Sequence, residues 1–211
     1  MEEEGCGASE LMLTEWNVSH AWDTRHDTHY GASFIARALM DLTDSQTGEQ
    51  TYYSLSCWPF SEDGGYGGRF SLFTMDGSKI PKASFNAFKL FSMLGENTNR
   101  VLVSSSDDDV YAMGTTDAGG VSLLATHYVM ADDPANPDYS LNTSVTLKIV
   151  NLPFSSYYYE VYLIDGNHSN SYYGSGPDLE IVSSGSGVGD FEKTMSLDVY
   201  GVVMVRIQQG S

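Results

Sequence analysis

Cations and cysteines are the scarce residues in this 211-residue chain. Lys and Arg total 10 against 28 Asp and Glu, a formal net charge of −18. The few cations do not cluster, and phosphate backbones and anionic lipid are held by clustered ones, so nucleic acid and membrane surfaces are excluded as partners. Two cysteines, Cys6 and Cys57, are too few for a disulfide framework. With Glu15 and Trp58 at one height on adjacent strands, the cysteines stand about eight residues apart along the strands, more than ~20 Å, whereas a disulfide needs Cα atoms within about 7 Å. Two free thiols are expected. No apolar run reaches membrane-spanning length. The opening Met1-Glu2-Glu3-Glu4-Gly5 is acidic and has no apolar segment of a signal peptide, which leaves the localisation open.

What is present is a core-forming fraction of 41% hydrophobic residues, with only 18% charged and Gly, Ser, Thr and Tyr filling the difference. That mixture suits a β-rich, polysaccharide-handling protein. The acidity suits a neutral partner such as a glycan, and it serves solubility equally well.

The stretch Leu11-Met12-Leu13-Thr14-Glu15-Trp16-Asn17 carries the most chemistry. A short apolar run reads as a buried strand of a parallel sheet, and polar residues at the C-terminal end of such a strand sit where α/β barrels place catalysis. A carboxylate there can attack a sugar while an indole packs on a sugar face. The plainer alternative is a strand-end carboxylate that pairs with a cation. Alternation turns Trp16 away from Glu15, so core packing is its expected role.

A loop with His20, Trp22, His26 and His29 follows. Asp27 is placed to cap a helix running to Asp44, with one apolar stripe of Gly31, Phe34, Ile35, Ala38, Leu39 and Leu42. Residues 50–58 read as a second strand. A long loop with Gly64-Gly65-Tyr66-Gly67-Gly68 comes next, then a short strand at Phe70–Phe73. Pro81 opens a second helix that Gly95 stops, with Ala83, Ala87, Leu90, Phe91 and Leu94 as its stripe.

The character changes near Asn97. Strands are expected at 101–104, 110–116, 121–129, 144–152, 158–164, 179–183, 191–199 and 202–207, with a hairpin turn at 116–120. In the last, Val203, Val205 and Ile207 face one way and Val202, Met204 and Arg206 the other, as in a half-buried strand. The fold class is therefore α/β plus all-β: two βα units in residues 1–96, then a β-sandwich in residues 97–211.

Four segments together resemble glycoside hydrolase family 39, the family of β-xylosidases and α-L-iduronidases. Thr14-Glu15-Trp16-Asn17 resembles its nucleophile strand, and Cys57-Trp58-Pro59-Phe60-Ser61-Glu62-Asp63 its eighth-strand segment. Gly67-Gly68-Arg69-Phe70-Ser71-Leu72 resembles the glycine-containing segment that follows. Gly77-Ser78-Lys79-Ile80-Pro81-Lys82-Ala83-Ser84-Phe85-Asn86-Ala87-Phe88 resembles its last barrel helix. Order and spacing agree over about residues 8–95. The resemblance implies strands seven and eight of a (β/α)8 barrel with an appended sandwich, and a retaining glycosidase of carbohydrate metabolism with no cofactor and no metal. It implies Glu15 as the nucleophile. It also implies that the chain is a C-terminal fragment, inactive by itself, because the family's general acid lies in an Asn-Glu pair ending strand four, and no Asn-Glu pair occurs here. A longer parent would be secreted or lysosomal.

Trp58 is then the stacking platform, beside Phe60. Glu62 and Asp63 are placed to hydrogen-bond sugar hydroxyls, or else form an acidic surface loop. His20 is a further sugar-contacting candidate. The histidine spacing matches no metal motif, and Asp107-Asp108-Asp109 lacks the pattern of a Ca²⁺ loop. Tyr172-Tyr173 reads as strand in preference to a glycan-binding face. The unpaired barrel edge is expected to drive self-association. The competing readings are a non-catalytic carbohydrate-binding sandwich and an inactive partial gene product.

Overall fold

The computed structural model describes residues 11–44, 52–57, 64–94, 99–130 and 137–210. Two strands run parallel, β1 (Leu11–Trp16) and β2 (Tyr52–Cys57), with Trp16 opposite Cys57. Each is followed by a helix, α1 (His29–Asp44) and α2 (Ala83–Ser92), and the two helices pack on each other. The proposed boundary at 96–97 lies outside the described residues, as do Cys6 and the side chain of Cys57.

The C-terminal part is antiparallel and mostly β. It contains β3 (Asn99–Val101), β4 (Val110–Thr116), β5 (Gly120–His127), β6 (Asn142–Ile149), β7 (Ser156–Ile164), β8 (Glu180–Val188), β9 (Phe191–Asp198) and β10 (Val202–Gln209). Six of these form one sheet in the order β3-β4-β5-β10-β7-β8, and β6 pairs with β9 in a second. The second sheet covers one face of the first. Val145, Leu147, Phe191 and Leu197 there share a core with Val161, Val203, Val205 and Ile207.

The opposite face of the six-stranded sheet is covered by the helices. Ala32, Ile35, Ala36, Met40, Ala87 and Leu90 join Met113, Leu124, Ile164, Val202 and Met204 in a single apolar cluster. This corrects the half-buried reading of β10. Its side chains split between the two faces as alternation predicts, but Val202 to Val205 are all fully buried, because the sheet has a layer on either side. It also corrects the single stripe on α1. Phe34 meets Trp16 of β1, with ring centroids 6.3 Å apart, while Ala32, Ala36 and Met40 belong to the core shared with the sheet. A helix in a middle layer needs two apolar faces.

Other boundaries moved for local reasons. Phe70–Phe73 forms no strand, only an isolated bridge from Phe73 to Pro81. The strand expected at 101–104 lies at 99–101, where Asn99 pairs with Thr116. Strand β8 runs on through Ser183-Ser184-Gly185-Ser186-Gly187, a turn-like sequence. Gly187 lies opposite Tyr157 and Gly185 opposite Tyr159, and a Cβ at either glycine would meet the tyrosine ring. The strand persists there because each ring covers a bare glycine backbone. Tyr172-Tyr173 is not strand: it lies in a 3₁₀ turn, Ser171–Tyr173, on the β7–β8 connection. Ser171 donates to the Pro81 carbonyl and Tyr172 meets Tyr66 edge-on, so this connection docks against the segments leading into α2.

Candidate active site

The C-terminal ends of β1 and β2 lie on one edge, since the strands are parallel and Trp16 is level with Cys57. Glu15 is exposed at that edge. Its neighbour Trp16 turns toward the helices and packs on Phe34 and Phe88, as alternation predicts. Glu15 thus stands on the side of the strand away from the helices. His20 is exposed in the loop that follows. Trp58, Phe60, Glu62 and Asp63 lie outside the described residues.

The loop after Glu15 is built of local polar locks. Asp23 caps the 3₁₀ turn Thr24–His26 by accepting from the Arg25 backbone N–H, and it holds the Arg25 guanidinium at 2.7 Å. Burial opposes its charge, but hydrogen bonds from Arg25 and Ser19 outweigh that and bring its pKa down to about 2. His26 is buried, within 3.1 Å of Ser19 Oγ and of the Ala21 carbonyl, with its ring edge against Phe70. Burial lowers its pKa. His29 is also buried, beside Tyr139 and Asn170, and burial pushes it down to about 4. Both rings are packed members of the scaffold, unlike exposed His20.

Asp27 does not cap α1. Thr28 takes that place, its Oγ1 accepting from the Tyr30 N–H. The Asp27 carboxylate instead enters a fully buried ion pair with Lys82, 2.7 Å apart, and its second oxygen accepts from the Gly67 and Gly68 N–H groups at 2.7 and 2.6 Å. Lys82 Nζ also donates to the Arg69 carbonyl at 2.8 Å. Gly68 has φ +75, and a Cβ there would run into the backbone of Asp23. The Arg69 guanidinium stacks on half-exposed Trp22 at 3.5 Å. Asn17, two residues past Glu15, donates to the Phe70 carbonyl at 3.5 Å. Sequence reading missed this network. The glycine-rich segment marked the loop, but nothing local marks Asp27 and Lys82 as partners. Among the described residues no group of three or more His, Cys, Asp or Glu side chains is placed to hold a metal.

An exposed carboxylate thus stands at the end of a parallel strand, with the next side chain turned back to the helices. The profile of glycosyl hydrolases family 39 matches residues 7–174. The chain belongs to glycosyl hydrolases family 39. A β-xylosidase of Caldicellulosiruptor saccharolyticus is 26% identical over 143 residues, covering 65% of this chain and 28% of that protein. The fold matches a monomeric β-xylosidase of Caulobacter crescentus with TM-score 0.73 at 18% identity, over 96% of this chain and 46% of that one. It matches the bacterial orthologue of human α-L-iduronidase with TM-score 0.79 at 16% identity, over 96% of this chain and 42% of the other. This family 39 chain therefore spans under half the length of these relatives.

Proposed function

We propose that this chain carries the nucleophile side of a retaining glycoside hydrolase of the β-xylosidase type. On this reading residues 1–96 are the last two βα units of a (β/α)8 barrel, and residues 97–211 are an appended β-sandwich. The observation that carries it is the exposed Glu15 at the C-terminal end of β1 in a family 39 chain. In a retaining mechanism two carboxyl groups stand about 5–5.5 Å apart. Glu15 attacks the anomeric carbon and the glycosidic C–O bond breaks. The leaving oxygen takes its proton from the acid/base, and water later releases the sugar from the glycosyl-enzyme. Trp58 and Phe60 are the proposed stacking surface, with Glu62, Asp63 and His20 on sugar hydroxyls. The general acid is a separate group, for which this sequence offers no Asn-Glu pair. The same reading expects the β1–β2 pair to seek further strands, and self-association when none is supplied.

A sugar-binding module without hydrolysis is the other reading. The groove between the two C-terminal sheets, about 670 Å³, is lined by residues such as Val103, Leu123, Val145 and Leu147 and, among the described residues, by no aromatic ring that could serve as a stacking platform.

The test is phenolate release from aryl β-xylosides. General-acid help is worth about 10²- to 10⁴-fold, and a dinitrophenolate leaving group needs little of it. The expected result is a slow release of one equivalent from a dinitrophenyl β-xyloside, absent in Glu15→Gln, with no sustained turnover of a mononitrophenyl β-xyloside. Release that survives Glu15→Gln contradicts the assignment.

A further inference from the structure

A fully buried ion pair is a poor way to gain stability, because removing two charges from water costs about what their attraction returns. The Asp27–Lys82 pair therefore calls for another account. Its connections are specific. Asp27 ends the loop that begins after Glu15 and Trp16, and Lys82 immediately precedes α2. Between them they hold three successive backbone groups of the glycine-rich segment: the N–H groups of Gly67 and Gly68 on Asp27, and the carbonyl of Arg69 on Lys82. The next carbonyl, that of Phe70, accepts from Asn17, which lies two residues beyond Glu15. Gly68 approaches the Asp23 backbone so closely that a side chain would not fit. The loop that follows β1 and the 67–70 segment are thus clamped together.

We propose that Asp27 and Lys82 are positioning residues, which fix the 67–70 backbone and through Asn17 the end of β1, so that Glu15 is held at one height and angle. The role rests on reading Glu15 as the nucleophile. Charge suits this task better than apolar contact: a carboxylate fixes two N–H donors in direction and an ammonium fixes a carbonyl, whereas apolar packing is non-directional.

The discriminating variant is the double substitution Asp27→Leu/Lys82→Met, which removes both charges and leaves none buried and unpaired. A pair that only stabilises is replaceable in this way. Two readouts apply. The first is amide hydrogen exchange at Gly67 and Gly68. The second is the rate at which Glu15 is captured by a dinitrophenyl β-xyloside carrying fluorine in place of the hydroxyl next to the anomeric carbon. The expected result is a chain that still melts cooperatively, though at a lower temperature because the Gly67 and Gly68 N–H groups lose their acceptor, with exchange at both glycines faster by about tenfold or more, and capture slowed about 10²-fold, the effect of a misplacement of about 1 Å. Wild-type exchange or wild-type capture in the folded double variant overturns the proposal. Should the double variant not fold, Asp27→Asn keeps the shape without the charge and is expected to show the same two effects at smaller size; unchanged values there overturn it too. Should the wild-type chain take no label at Glu15, the nucleophile reading fails by itself, and the exchange rates still decide whether the pair clamps the loops.

Discussion

Residues 99–210 and residues 11–94 are held by different means. In the C-terminal sheets every strand but the three-residue β3 keeps a long antiparallel register, and both faces of β10 are filled with apolar side chains. At the strand-end edge of the N-terminal part, the loops are tied by charge and hydrogen bonds: Asp23 on Arg25, Asp27 on Lys82 and on two glycine N–H groups, and His26 on Ser19 and Ala21. Apolar contact fills space at low cost but fixes no direction, while hydrogen-bonded charge fixes direction at a desolvation cost. The scaffold uses the first, and the edge that carries Glu15 uses the second. Helices α1 and α2 belong to both, with apolar residues in the shared core and polar residues at their leading ends.

The contrast breaks most visibly at Lys82. Lys82→Met alone leaves Asp27 buried without its cation and is expected to cost about 3–5 kcal/mol in denaturant unfolding. A loss under about 1 kcal/mol would mean that the edge is held by packing, like the rest. On the scaffold side, Met204 and Val205 are neighbours in β10 that face the helices and the β6–β9 sheet respectively. Met204→Ala is expected to cost about 2–5 kcal/mol and to raise exchange in α1, while Val205→Ala removes less volume, costs less, and acts on β6 and β9.

Acid sharpens the comparison further. His29 is held neutral by burial, with a pKa near 4 against an ordinary 6.5. Its folded-state pKa is depressed, so the stability it contributes is present above pH 6.5 and is lost as pH falls toward 4. Linkage puts that loss at about 3 kcal/mol. Asp23, lowered to about 2, adds a loss only below about pH 3.8. His29→Gln should flatten the melting temperature between pH 6.5 and 4, and an unchanged slope would place the acid sensitivity elsewhere. The smallest effect belongs to Lys148 and Glu192, 3.2 Å apart but both more than half exposed on β6 and β9. Lys148→Ala should change stability by less than about 0.5 kcal/mol.

Much of this was legible in the sequence. The apolar spacing of Ala83, Ala87, Leu90 and Leu94 marked the buried face of α2, and alternation sorted β10 correctly between its two faces. The turn of Trp16 toward the core was readable because alternation is a local pattern. Unreadable were features set by distant partners. Asp27 looks like a helix cap because capping is a local role, and its true partner comes after two further elements. His26 and His29 look like loop histidines until tertiary burial is known. The length of β8 depends on Tyr157 and Tyr159 of another strand, which cover Gly187 and Gly185.

The most direct measurement is peptide mapping by mass spectrometry after prolonged incubation with the fluorinated dinitrophenyl β-xyloside, whose glycosyl-enzyme hydrolyses slowly. The account predicts one sugar per chain, attached to Glu15 in the peptide containing Leu11–Trp16, and none on Glu15→Gln. A label on any other carboxylate, or a folded chain that takes no label, would contradict it.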